Sequence, residues 1–137
     1  MLFTSPEIDR FHAYSLIMSR KHYEKYTKGQ FWEKMQNALM AHNFALKTDT
    51  VKMIMCNDFY EGVYLPDPNK VLLCGNVLME KQDFENALNR QLIMLYDNVR
   101  GNGLHNLDNC KHLACSEVRA ALFNNSCKVS KSFGDRL

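Results

Sequence analysis

Apolar residues recur at helical spacing in several stretches of the chain and at strand spacing in a shorter one between them. Phe31, Trp32, Met35, Leu39 and Met40 stand one, three and four residues apart, so "QFWEKMQNALMAH" is predicted to be an amphipathic helix ending near His42. "DFENALNRQLIMLYDNVRG" places Phe84, Leu88, Leu92, Leu95 and Tyr96 on one face, with Gln82 or Asp83 near its start and Gly101 just past its end. Ser5, Pro6 and Glu7 form a helix-start signature: a capping oxygen, a proline whose missing N–H costs nothing at the first turn, and an acid at the positive dipole end. That helix is predicted to reach Tyr26, with Phe11, Tyr14, Leu16, Ile17 and Met18 as a broad apolar stripe. The polar stretch "SRKHYEKYTK" from Ser19 is expected to be solvated or to fray, and Gly29 separates it from the next helix. "VKMIMC" (51–56) alternates, "NDFYEG" supplies turn chemistry, and "VYLPDPNKVLLC" follows, which predicts two short strands flanking a proline-containing loop. "GNGLHNLDN" reads as a loop, and the alanine-rich "KHLACSEVRAALF" as a further helical segment with Leu113, Val118, Ala121 and Leu122 available for burial.

Composition narrows the class. The chain has 137 residues, 46% of them apolar, enough for one hydrophobic core without an obligatory metal or partner. Seventeen basic and fifteen acidic side chains give a net charge of +2 and a pI near 8.3, too balanced for the basic footprint of a nucleic-acid binder. No apolar run reaches the roughly 18–20 residues that span a bilayer; "VLLCGNVLM" is short and interrupted by Gly75 and Asn76. Ser5, Pro6, Glu7, Asp9 and Arg10 break the first apolar stretch before a secretory core can form, so any import signal is expected to be internal. Five cysteines (Cys56, Cys74, Cys110, Cys115 and Cys127) leave one over if disulfides form.

Candidate chemistry is sparse. His105, Cys110, His112 and Cys115 fall close together, but the spacing His-x4-Cys-x-His-x2-Cys matches no standard zinc pattern, and helical neighbours one or two apart point in different directions. Cys115 beside Ser116 and Glu117 has a histidine three residues back, yet spacing supplies neither a base within reach nor an oxyanion site. The preferred readings are a small buried hydrophobe or disulfide half for Cys115, and surface or capping positions for the histidines. "GNG" at 101–103 lacks the strand and lysine of a phosphate-cradling loop.

"CKHLACSEVRAA", with Cys127 beyond it, resembles the H-L-A-C-S-E-[IV]-R-A signature of the mitochondrial inner-membrane metallopeptidase family, the zincins of the ATP synthase-assembly protein number twenty-three type. The resemblance extends upstream through "VLLCGN", through Cys56 and Cys74 bracketing a turn-rich stretch, and through "FWEKMQNALMAHNFAL". It covers Phe31 to Cys127 and leaves Met1 to Gly29 outside. In that family the helix before the signature carries T-H-E-L-[IV]-H-x-[FY]-D, where two histidines at i and i+4 hold zinc and the glutamate activates its water. Leu92, Ile93, Tyr96 and Asp97 match this pattern. Arg90, Gln91 and Met94 stand where the first histidine, the glutamate and the second histidine would be. Arg90 brings a fixed positive charge, Gln91 cannot take a proton from water, and the Met94 thioether suits zinc poorly. Glu117 matches the signature's glutamate, and Arg119 is expected to pair with it or with Asp97.

The resemblance implies an α+β fold: a degenerate zincin-like metallopeptidase domain over 30–137, with short β-strands, the former zinc-site helix and a C-terminal helix, preceded by an N-terminal helical extension over 1–29. It implies a pseudoenzyme, with no catalytic, cofactor-binding or metal-binding residues and no cofactor, acting as a structural or accessory subunit of a large mitochondrial inner-membrane assembly, a respiratory-chain complex or ATP synthase. The expected partners are protein subunits of that complex, with the chain membrane-peripheral on the intermembrane-space side and with neither nucleic acid nor a small-molecule substrate. The family continues past the cysteine matched by Cys127, so part of a substrate cleft is expected to be missing. Alternatives are an assembly chaperone for a membrane subunit, a mitoribosomal accessory protein, and an active metallopeptidase with a rearranged metal site near His105, Cys110 and His112. Phe11, Tyr14, Tyr23 and Tyr26 on the N-terminal helix are expected to meet neighbouring subunits. In the intermembrane space four of the five cysteines would pair; sequence leaves connectivity open, with Cys56–Cys74 the first expectation because both would end neighbouring strands.

Overall fold

The computed structural model describes residues 5–57, 61–78 and 80–101, together with Ala114, Val118 and Arg119. The order is α1 (Ser5–Tyr26), α2 (Gln30–Met40), β1 (Val51–Ile54), β2 (Gly62–Leu65), β3 (Lys70–Cys74) and α3 (Lys81–Arg100), an α+β arrangement. A 3-10 turn at Thr48–Thr50 leads into β1.

The long helix at 81–100 is the centre of the packing. Phe84, Ala87, Leu88, Leu92 and Leu95 are fully buried, and α3 packs against α1, α2, β2 and β3. Its face was set by apolar residues at helical spacing, and Gly101 closes it with an N–H bond to the Asp97 carbonyl (3.2 Å). In α2, Trp32, Met35 and Leu39 are buried. This helix stops at Met40, short of His42, because Asn43 turns left-handed (φ 63°) and the chain reverses: Asn43 N–H bonds to Met40 O (2.9 Å) and Phe44 N–H to Leu39 O (3.0 Å).

The sheet has three strands in the order β1-β3-β2. Two of them, β2 and β3, flank the Pro66–Pro68 turn as expected and pair antiparallel, Tyr64 opposite Val71. The alternating segment from Val51 forms the third strand, parallel to β3, with Val51 opposite Val71 and Ile54 opposite Cys74. Val51, Tyr64, Val71 and Leu73 face the helices, whereas Ile54, Val63 and Leu65 lie on the opposite, exposed side. Gly62 permits close pairing, since a Cβ there would stand 2.6 Å from the Leu72 carbonyl oxygen. Cys56 and Cys74 form a disulfide with Cα atoms 5.4 Å apart. The Asn76 amide braces it by accepting from Cys56 N–H (3.0 Å) and donating to Cys56 O (2.8 Å).

The α1 helix corrects one expectation. It runs to Tyr26 without fraying, and the stretch that looked polar packs: Ser19, Tyr23 and Tyr26 are buried, continuing a buried line that starts one turn earlier at Ser15. Ser15 donates to Gly75 O (2.9 Å), and Ser19 lies 2.8 Å from Gly75 O and 2.9 Å from Leu78 O, its single proton serving one carbonyl at a time. The serines thus satisfy turn carbonyls that would otherwise be buried without donors. Tyr23 and Tyr26 both meet Trp32 edge-on, at 5.9 and 6.2 Å between centroids, and Tyr26 also meets Phe84. Both tyrosines are therefore interior and offer nothing to a neighbouring subunit, while Phe11, Tyr14 and Ile17 are more than half exposed. Burial pushes both phenols well above their ordinary range, with the nearby charge of Asp49 adding to the effect on Tyr23 and that of Glu85 on Tyr26. None of the described helices is long and apolar enough to cross a membrane.

Candidate functional site

Four positions on α3 carry the comparison with a zincin helix: 90, 91, 94 and 97. Residues 90 and 94 share a helical face, as the two histidines of a metal pair must. Arg90 leaves that face for solvent, with its guanidinium 4.0 Å from Glu61 just before β2; both side chains are well exposed, so the pair is worth at most about 1 kcal/mol. Met94, one turn later, packs into the core beside Leu92 and Leu95. Gln91 is 6% exposed, and its amide forms no hydrogen bond among the described residues. An arginine offers no lone pair, a glutamine no proton-accepting carboxylate, and a thioether held in an apolar core is a weak zinc donor. Zinc in a zincin helix requires the opposite set, so the donors at 90, 91 and 94 do not fit it. Among the described residues no three His, Cys, Asp or Glu side chains converge on one point.

Asp97 behaves differently. Its carboxylate is fully buried and accepts a hydrogen bond from the Arg119 guanidinium, with Arg100 Nη2 a further 3.6 Å contact. Of the two partners expected for Arg119, the structure assigns Asp97. The pair ties α3 to the segment that bears the "HLACSEVRA" signature, in which Ala114, Val118 and Arg119 are helical. A neighbouring network holds the other side of α3: Asn98 Nδ2 donates to the Tyr64 hydroxyl (3.0 Å) and to Asn69 Oδ1 (3.2 Å), and the Tyr64 hydroxyl donates to Asn69. Burial pushes the Tyr64 phenol up to about 12, with the Asn98 hydrogen bond acting in the opposite direction.

Two recesses flank these groups. One, of about 270 Å³, lies between α2 and α3 and is lined by Phe31, Lys34, Met35, Ala38, Ile93, Tyr96 and Arg119. The other, of about 300 Å³, sits on the outer sheet face around Ile54, Val63, Leu72 and the disulfide. Neither brings together a nucleophile and a base.

His105, Cys110, His112, Cys115, Glu117 and Cys127 lie outside the described residues. Sequence reasoning missed Glu61 as the partner of Arg90, because a single acid in a turn carries no spacing signal. It also missed the seat of Ser15 and Ser19 on the Gly75 carbonyl, although two serines four apart on one helical face were the available clue.

The profile of the Peptidase M76 family matches residues 18–137, beginning inside α1. The chain is 32% identical over 75 residues to the mitochondrial inner membrane protease ATP23 of Scheffersomyces stipitis, covering 55% of this chain and 30% of the relative. It is 33% identical over 93 residues to that of Eremothecium gossypii (65% and 36%), and 34% identical over 94 residues to that of Saccharomyces cerevisiae (66% and 39%). The matched region thus spans about a third of the length of these relatives. No solved structure matches. With the profile spanning residues 18–137, the chain belongs to the Peptidase M76 family.

Proposed function

We propose that this chain is a non-catalytic member of its family, retained at the mitochondrial inner membrane as a structural or accessory subunit of a large assembly, a respiratory-chain complex or ATP synthase. The observation that carries the reading is the state of α3. Arg90 is turned to Glu61, Gln91 is buried without a carboxylate, and Met94 belongs to the core, so the helix keeps its packing face while the three positions that would hold and activate a metal do not supply that chemistry. The inner-membrane placement is supported by the names of the relatives, each a mitochondrial inner membrane protease. The intermembrane-space side is supported by the Cys56–Cys74 disulfide, since disulfides persist in oxidising compartments.

Two measurements test this. Purified full-length protein is expected to hold much less than one equivalent of zinc and to show no chelator-sensitive peptide cleavage; a full equivalent with such cleavage would establish an active enzyme with a rearranged site. Tagged protein in detergent-solubilised mitochondria is expected to co-migrate with a mature complex on native gels. Co-purification with unassembled precursors alone would assign it instead as an assembly chaperone.

A further inference from the structure

We propose that the outward face of α1 is a docking surface for an anionic lipid bilayer. The helix cannot turn this face inward, because Ser15, Ser19, Tyr23 and Tyr26 fix the opposite side against the Gly75 turn and the aromatic core. At about 3.6 residues per turn, the solvent side gathers Phe11, Tyr14 and Ile17 with Arg10, Lys21 and Lys25 into an arc of about 120°. The three apolar side chains are 54%, 55% and 51% exposed. The three cations are exposed as well, and none of them forms an ion pair among the described residues. Of the acids on α1, Glu24 falls outside this arc, whereas position 7 at the start of the helix, a glutamate, falls within it, so the three cations leave the face with a net positive charge.

Charge complementarity selects the occupant. Apolar side chains interleaved with unpaired cations match the boundary of an anionic membrane, where rings and aliphatic groups enter the acyl region and long basic side chains reach back to headgroups. A protein interface depletes such charges from its core, and here each apolar residue has a cation beside it. The helix is about 33 Å long at about 1.5 Å per residue, so its whole basic face can lie in the membrane plane. The inference rests on the inner-membrane placement proposed above and supplies a means of attachment for a chain whose described helices do not cross a membrane.

The test uses purified full-length protein and flotation with two kinds of vesicle, pure phosphatidylcholine and phosphatidylcholine containing a third cardiolipin. The wild type is expected to float with the anionic vesicles only and to be released by high salt. Reversing the three charges (Arg10→Glu, Lys21→Glu, Lys25→Glu) is expected to lower partition about a hundredfold, each cation contributing a several-fold factor. Replacing Phe11, Tyr14 and Ile17 with serine is expected to lower it about tenfold or more, with circular dichroism unchanged because these side chains are exposed. Absence of flotation by the wild type, or equal flotation of all three proteins, overturns the proposal. It is equally overturned if the variants lose only co-purification with a protein complex, which would make the face a protein contact. Mitochondrial fractionation is scored separately, so a wrong compartment and a wrong surface give different results.

Discussion

Two arginines on or against α3 separate a structural charge from a surface one. Asp97 is fully buried and receives Arg119, with Arg100 at 3.6 Å as a further cation, whereas Arg90 meets Glu61 in solvent at 4.0 Å. Removing one partner of a buried pair strands the other charge in low dielectric, while removing an exposed pair costs little. Arg119→Met is therefore expected to lower unfolding free energy by about 2 kcal/mol, below the full buried-pair penalty because Arg119 is itself partly exposed and Arg100 remains. Arg90→Met should change it by less than about 1 kcal/mol. Denaturant midpoints of the two variants, compared at constant slope, check the contrast; equal losses would show that Arg90 has an interior role. The candidate pairing of Arg119 was legible in the sequence only as a choice between Asp97 and Glu117, since spacing within a helix cannot rank a partner on another segment.

Between elements, the sheet depends on a covalent link as much as on its hydrogen bonds. The edge strand β1 has only four residues and pairs with β3 in parallel, the less stable arrangement per residue. The Cys56–Cys74 bridge fastens the end of one to the end of the other across 18 positions of sequence. A loop of that length gives about 3 kcal/mol through restriction of the unfolded chain. Cys56→Ser with Cys74→Ser is expected to lose about that amount in a denaturant titration, retaining native secondary structure because Asn76 still bridges residue 56. Helix positions were far more legible than strand partners: the apolar spacing of 81–100 shows its buried face directly, whereas the parallel pairing of β1 with β3 joins segments whose order in a sheet no local pattern encodes. The α1 helix shows the limit from the other side. Its aromatic residues lie on two faces, and only the contacts of Tyr23 and Tyr26 with Trp32 decide which face is interior.

For the molecule as a whole, the core is closed by tyrosines that must remain neutral. Tyr23, Tyr26 and Tyr64 all hold their protons more tightly when folded than the ordinary value of 10.0, chiefly because burial penalises the phenolate. A raised folded pKa means that the folded state binds the proton more strongly, so this contribution is complete below about pH 10 and is lost as pH climbs through the folded values, about 12 for Tyr64. The denaturation midpoint is expected to be insensitive to these groups near neutrality and to fall steeply above about pH 10, in step with tyrosinate absorbance. Stability maintained to pH 12 would contradict the interior placement of these rings.

By itself the sequence determined the three long helices, the strand-bearing middle, the family signature in "HLACSEVRA" and the identity of Arg90, Gln91 and Met94, because periodicity, capping and side-chain chemistry are local properties. Only the tertiary structure decided that β3 lies between β1 and β2, that Arg119 meets Asp97, and that the serine- and tyrosine-bearing side of α1 is the buried one. These outcomes depend on which distant surfaces meet, and a hydroxyl or phenol that looks polar in a sequence becomes an interior group once a carbonyl or an aromatic ring is placed within its reach.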